Sequence, residues 1–280
     1  MSNNQNSGPL VLSYNICFQA MTNNASGSAY ELGKNCTYLP NSKLTICANN
    51  MAQMIDAIPA SMGVSSFDLV GFQEASRWHD LQKDAPNTSA QMSAIGVKDG
   101  RSEMVSFYNN NKYKLIKALT GHFSQERPFQ ILILKNLFDD SGTIFINAHN
   151  PHSYPFEAMQ SVLGKAVGHN LSTEEKKYRI IAVGDFNETG WDWIENKMKQ
   201  SSWTPFIDSE VTTPIEVGQP VFSCCQGDGK WSDASGELKK GSRGGDYVFD
   251  SKAPADIQVP PKYDPSKLKS DHLPVMALLS

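Results

Sequence analysis

The stretch Ile180–Thr189, IIAVGDFNET, decides how this chain is read. Ile180, Ile181, Ala182 and Val183 make a strand-length apolar run that stops at Gly184. Asp185, Asn187 and Glu188 follow, three groups able to bind a metal or steer a proton. Taken alone, Asp-Phe-Asn after a strand is a turn, because Asp and Asn side chains bond their own backbone. The stretch gains weight only from others like it.

Five further runs share the pattern. LVLSYN ends on Asn15, LVGFQE on Glu74, and IFINAHNPH on His149 and His152. RGGDYVF opens a strand with Asp246, and KSDHLPV opens one with Asp271 and His272. Each tip is unremarkable singly: a solvated strand end, an exposed loop, a hydrogen-bonded histidine. As an ordered set they converge on one cleft, provided the tips share one edge of the sheets.

The strands expected are LVLSYNI (10–16), FDLVGFQ (67–73), MVSFY (104–108), YKLIKAL (113–119), FQILIL (129–134), TIFINA (143–148), RIIAVG (179–184), DYVFD (246–250) and LPVMALL (273–279). They are short and rich in β-branched and aromatic residues. Residues 44–58 place Leu44, Cys47, Met51, Met54, Ile55 and Ile58 on one helical stripe. Residues 155–170 and 190–200 are weaker helix candidates. Polar insertions fill 17–43 and 201–245. The pattern gives a layered α/β domain with central sheets. Residues 1–9 read as a polar, disordered tail and 10–280 as a single domain.

Composition bounds the rest. Lys and Arg number 25 and Asp and Glu 29, a net charge of −4. That excludes a protein coated in basic charge, though not an enzyme with a local basic rim. The five cysteines are unevenly spaced and do not read as a disulfide framework. Cys224-Cys225 has no histidine near it in sequence, so buried or idle thiols are expected. No basic segment leads into an apolar one at the start, and no apolar span is long enough to cross a bilayer. A cytoplasmic or nuclear monomer without stable membrane association is expected.

Carboxylate and amide oxygens suit a hard cation such as Mg²⁺ or Mn²⁺. Glu74 is the leading ligand, with Asn15 ligating or orienting. A histidine beside a carboxylate holds a proton, and so a positive charge, near a developing phosphorane. Asp185 with Asn187 suits an attacking water. The set describes in-line hydrolysis of a phosphate ester.

In SYNI, GFQE, NAHNPH, GDFNE, GGDYVF and SDHLPV, in that order, the chain resembles the endonuclease/exonuclease/phosphatase superfamily. The resemblance implies an α/β (α+β) four-layer sandwich: two central, mainly antiparallel sheets flanked by helices, with the site at one edge. It implies that Glu74 binds the divalent ion with Asn15 beside it and Asp271 assisting. Asp185 orients or activates the water, and Asn187 contacts phosphate. His272 binds the scissile phosphate, oriented by Asp246. His149 contacts the phosphate or leaving group, Arg127 is a basic substrate contact, and His152 is a second phosphate contact or an unrelated loop residue. The chain departs from the pattern at Tyr14, where relatives often carry Trp, at HNPH, and at Tyr247 after Asp246.

The superfamily's substrates are diverse, so the core does not fix the ester. A nuclease acting on DNA or RNA is the first expectation. Lys112, Lys114 and Lys117, then Lys239, Lys240 and Arg243, supply basic runs, and Trp191, Trp193 and Trp231 are aromatics that either stack bases or fill the core. A phosphatase or lipid phosphodiesterase, of the inositol-phosphate or sphingomyelin type, is the alternative. A catalytically dead binding module is disfavoured because every core group is present.

Overall fold

One parallel strand pair inside each of two sheets decides where the polar tips end up. The computed structural model describes residues 8–99, 102–124, 127–152, 156–187, 222–241, 245–253 and 255–280. Its strands are β1 (Leu10–Asn15), β2 (Leu69–Gln73), β3 (Met92–Asp99), β4 (Ser102–Asn109), β5 (Tyr113–His122), β6 (Pro128–Asn136), β7 (Gly142–His149), β8 (Arg179–Asp185), β9 (Asp246–Asp250) and β10 (Val275–Leu278). Its helices are α1 (Phe18–Thr22), α2 (Tyr30–Asn35), α3 (Ile46–Ser61), α4 (Trp78–Lys83), α5 (Pro86–Ser89) and α6 (Phe156–Asn170). The helix expected at 190–200, Glu188, Trp191, Trp193 and Arg243 lie outside the described residues.

The sheets have orders β10-β1-β2-β4-β3 and β5-β6-β7-β8-β9. Neighbours are antiparallel except β1–β2 and β7–β8. Parallel pairing sends both strands of a pair out at the same edge. In register, Asn15 stands opposite Gln73, His149 opposite Asp185, and Asp185 opposite Asp246. The sheets stack with β1 over β8 and β9, and β2 over β7 and β8. Four strand ends thus meet at one rim, as the sandwich reading required.

All nine expected strands are present within a few residues. Ile131–Leu134 on β6 and Ile180, Ile181 and Val183 on β8 are wholly buried, which explains their unbroken apolar runs. The α3 stripe covers the outer face of the first sheet, with Leu44, Cys47, Met51, Met54, Ile55 and Ile58 all buried. Thr45 caps that helix: its hydroxyl accepts from Ala48 N at 3.0 Å, a contact typically contributing about 1 kcal/mol. Met159, Leu163 and Val167 of α6 belong to the core of the second sheet.

Three features depart from the sequence reading. Strand β3 was not expected; its half-exposed edge position and small residues give no apolar run. Residues 17–43 are not merely a polar insertion, since α1 and α2 bury Ala20, Met21, Leu32 and Cys36 against α3. Cys36 and Cys47 are not idle thiols; they form a disulfide with Cα atoms 5.3 Å apart, clamping α2 to the first turn of α3. Disulfides persist chiefly in oxidising surroundings, which weighs against the cytoplasmic or nuclear expectation. No helix among the described residues is long and apolar enough to cross a membrane.

Between the sheets runs a buried polar ladder. Gln73 Nε2 donates to Asn147 Oδ1 at 2.8 Å, Asn147 Nδ2 to Val105 O at 3.0 Å, and Ser106 Oγ to Gln130 Oε1 at 2.8 Å. Gly71 lies beside it, where an added Cβ would press on Val183 and the Asn147 amide across the interface. Gly71→Ala should therefore destabilise the fold by roughly 1–3 kcal/mol through overpacking. Equilibrium urea unfolding checks this; unchanged stability would show that the sheets can part there freely.

Candidate active site

Each polar tip is set by the strand it ends. Asn15 closes β1, His149 closes β7, Asp185 closes β8 and Asp246 opens β9; all four are at least 98% buried. Glu74 follows β2 directly, and His272 and Asp271 lead into β10. Cys17, Glu74 and Asn187 have φ of 58°, 51° and 48°. Non-glycine residues pay for that region with backbone strain, and such strain gathers at functional sites.

The side chains meet around Asp185. Its Oδ2 accepts from Asn15 Nδ2 at 2.9 Å and its Oδ1 from Asn187 N at 2.9 Å. His149 Nε2 lies 3.6 Å and His272 Nε2 3.7 Å from Oδ2. Behind His272, Nδ1 donates to Asp246 Oδ2 at 2.8 Å. Glu74 and Arg127 face each other at 3.3 Å, and the Arg127 guanidinium also reaches the His149 ring at 2.7 Å. The Cys17 thiol donates to Gln19 Oε1 at 3.3 Å, and Asp271 sits within electrostatic reach of Cys17 and Glu74. The structure thus gathers Asn15, Glu74, Arg127, His149, Asp185, Asn187, Asp246, Asp271 and His272. His152 is exposed; the residue of that loop locked to the Asp185 turn is Asn150.

Asn150 stood within NAHNPH without a role. Its backbone N–H donates to Asp185 O at 2.8 Å, its amide to Phe186 O at 3.0 Å, and its carbonyl accepts from Asn187 Nδ2 at 2.7 Å. Ser223 was missed too: its hydroxyl donates to Asp246 Oδ2 at 2.7 Å. It lies in a loop 23 residues before its partner, where no periodicity marks it. Ser270 was visible in SDHLPV without a role. It donates to Asn15 O at 2.7 Å and accepts from His272 N at 3.0 Å, tying the first strand to the last loop.

The two histidines differ in charge. Burial and the neighbouring Arg127 push His149 down to about 4, so it is neutral at pH 7. Burial also works against charge on His272, but Asp246 and Asp185 outweigh it and hold the imidazole well above its ordinary value. Burial raises Asp185, while His272 and the Asn15 and Asn187 donors bring it net below the usual carboxyl range, neutral His149 adding no charge. Glu74 is likewise net lowered, burial being overridden by His149 and Arg127; with His149 neutral, Arg127 carries that effect. Asp271 is raised, chiefly by burial.

The donor chemistry fits a divalent cation. Glu74 and Asp271 put two carboxylates and the Asn15 carbonyl at one rim, the oxygen set that hard ions take. Asp246 Oδ1 is buried without a hydrogen-bond donor. Asp185, Asp246 and His272 also offer ligand atoms within 4.8 Å of one another. There, however, the Asp246–His272 bond already occupies Nδ1 and Oδ2.

Trp231 is fully buried, its Nε1 donating to Ser270 O at 2.8 Å, so it supports the site from within and cannot stack a base. Lys112 pairs with Asp68 and Lys117 with Glu175. Lys112 and Lys114 lie at the start of β5, beside Asn136 and Lys135, the sheet end away from His149. That basic run is no rim to the cleft. Lys239 and Lys240 lie nearer, next to Gly241, which bonds Phe222 beside Ser223.

No family model and no curated protein matches this chain. Solved structures do. A Bacteroides vulgatus endonuclease/exonuclease/phosphatase matches with TM-score 0.60 and 15% identity over 97% of this chain and 98% of its own. A mannosyl-6-phosphatase of Bacteroides thetaiotaomicron gives 0.54 and 17% over 96% and 98%. Danio rerio TDP2, solved with a single-strand DNA product, gives 0.56 and 12% over 97% and 98%. At such identities the likeness shows the fold: the chain has the endonuclease/exonuclease/phosphatase fold. It is the fold that the resemblance of the six sequence motifs implied.

The refused proton on His149 has a measurable consequence. A histidine with a depressed folded pKa destabilises as pH falls from its unfolded value near 6.5 toward 4, because only the unfolded chain takes up the proton. His149→Gln in chelator should abolish about 2.5 kcal/mol of that loss at about pH 4.5. Urea unfolding at neutral and acid pH tests it; equal acid sensitivity in both proteins would show that the buried ring accepts its proton.

Proposed function

We propose that this chain is a divalent-metal-dependent phosphodiesterase acting on nucleic acid. The observation that carries the reading is the His272 imidazole held between two carboxylates. It is backed by Asp246 at 2.8 Å and aims Nε2 at Asp185, 3.7 Å away. A fixed imidazolium opposite a fixed carboxylate suits in-line attack on phosphorus: one group stabilises a non-bridging oxygen, the other receives the water's proton.

Glu74, with Asn15 and Asp271 beside it, holds Mg²⁺ or Mn²⁺. When bound, that ion supplies charge neutralisation at a phosphate oxygen. Asp185 orients and deprotonates the attacking water, its own two oxygens pinned by Asn15 and Asn187. His272 donates from Nε2 to the phosphate. Neutral His149 stays a hydrogen-bonding group near the leaving oxygen, held by Arg127. Asn150, Ser223 and Ser270 position these groups without touching the ester.

Nucleic acid as substrate is supported by the DNA product in the TDP2 structure and by Lys239 and Lys240 near the cleft. One observation favours a second reading, a phosphomonoesterase acting on a small phosphate: the basic run on β5 faces away from the site, and a neighbour is a sugar phosphatase. A lipid substrate is disfavoured. The exposed Leu137 and Phe138 lie in the β6–β7 turn, at the end of the sheet opposite His149.

A Mg²⁺/Mn²⁺ substrate panel with a chelator control decides the class. It covers duplex and single-stranded DNA, RNA, a 5′-tyrosyl oligonucleotide, sugar and inositol phosphates, and sphingomyelin. Asp185→Asn and His272→Ala should each lower the rate by roughly 10²–10⁴-fold. Parent-like activity in either variant would refute its role.

A further inference from the structure

Two sulfurs stand against the imidazole that the phosphate chemistry needs. Cys224 and His272 pair as a backbone bridge. On either side, Leu273 N donates to Ser223 O at 2.7 Å and Gln226 N to Asp271 O at 2.8 Å. This bracket fixes the Ser223–Gln226 segment along the His272 loop. Cys224 Sγ lies 3.6 Å from His272 Nε2. One ligand atom each from Cys224, Cys225 and His272 falls within 4.8 Å of the others. The sequence showed no histidine near this pair; the fold supplies one 48 residues away.

The chemistry differs from that of the carboxylate rim. Two thiols and an imidazole are soft to borderline ligands, suited to zinc and not to magnesium. Tetrahedral zinc, with Zn–S near 2.3 Å and Zn–N near 2.05 Å, sets sulfur and nitrogen about 3.6 Å apart. Cys224 and His272 already hold that separation. His272 Nδ1 is bonded to Asp246, the carboxylate backing that orients zinc-bound imidazoles and raises their basicity. Cys225 is half-buried, which leaves an ion a way in.

We propose that, in the reduced chain, Cys224, Cys225 and His272 Nε2 form an inhibitory site for a soft divalent cation of the zinc class. Binding releases the two thiol protons and the Nε2 proton of the imidazolium, and the cation takes the lone pair so freed, while Nδ1–H stays on Asp246. That atom is then lost to the phosphate, so hydrolysis stops; this consequence, unlike the binding itself, rests on the function proposed above. The two sulfurs are bonded to each other in the structure, which closes the site. A small dithiol opens it by exchange: it passes two electrons and two protons to the pair and itself becomes a cyclic disulfide. The Cys36–Cys47 bond is wholly buried, so Cys224–Cys225 is the one that a dithiol reaches first.

Cobalt(II), in excess Mg²⁺, is the probe. The dithiol-treated, desalted full chain should bind one Co²⁺ with a thiolate charge-transfer band and tetrahedral visible bands, both erased by Zn²⁺. Cys224→Ser and Cys225→Ser should each weaken binding by roughly a hundredfold, and the untreated chain should show no band. Micromolar Zn²⁺ should suppress hydrolysis in the treated parent, while the treated Cys224→Ser/Cys225→Ser variant keeps its own zinc-free rate. No band after reduction, or an equal band in the double variant, overturns the site. A band with no zinc effect on hydrolysis overturns the inhibition. A full band in a chain that hydrolyses none of the panel refutes the phosphodiesterase reading and leaves the cation site standing.

Discussion

Four carboxyl groups share one pocket with two cationic side chains, and the design of the site follows from that imbalance. Glu74, Asp185, Asp246 and Asp271 converge on Arg127 and the imidazolium of His272. An uncompensated buried charge costs several kcal/mol, so the pocket must either protonate some of its carboxyls or admit another cation. Burial raises Asp271, which is the first response, while Asp246 stays the carboxylate that backs the His272 imidazolium. Glu74 and Asp185 stay ionised because Arg127 and His272 lie against them. The divalent ion proposed beside Glu74 would be the second response, since it would let Asp271 ionise without further protein charge. The same argument gives Arg127 a part in the pocket's charge balance: without it, Glu74 faces Asp271 with only the more weakly acting His272 to offset them.

The scaffold can hold such a pocket because its rim is over-determined. Two parallel pairs deliver four strand ends to one edge, and the polar ladder through Gln73, Asn147, Ser106 and Gln130 locks the sheets in one stacking register just behind them. Ser270 then ties the backbone of Asn15 to the His272 loop, joining residues 255 positions apart. Positive φ at Cys17, Glu74 and Asn187 is affordable only in such surroundings, where neighbouring bonds fix the turn.

What the sequence disclosed follows the same physics. Strands buried on both faces, such as β6 and β8, write themselves as apolar runs, and the residues ending them were legible as a set. The edge strand β3 was not, because Met92–Asp99 is half-solvated and mixes Ser, Gly and Lys among its apolar residues. Asn150 and Ser223 act through backbone and hydroxyl bonds fixed by tertiary contact, and polar loop residues of that kind look alike in sequence. Trp231 was readable as base-stacking or core; only burial could choose. The Cys36–Cys47 bond depends on α2 lying against α3, and a separation of 11 residues carries no signature of it.

The two histidines show how far residue type alone falls short of role. His149 and His272 both approach Asp185 Oδ2, at 3.6 Å and 3.7 Å. Their difference lies on the far side of each ring. His272 has Asp246 behind it, so its proton is held at Nδ1 and its charge is stabilised. His149 has the Arg127 guanidinium against its ring nitrogens, which can donate only to a lone pair and therefore needs the imidazole neutral. Exchanging the two partners would exchange the two roles. The division between the charged imidazole and the neutral one is thus written in a carboxylate and a guanidinium on the far side of each ring.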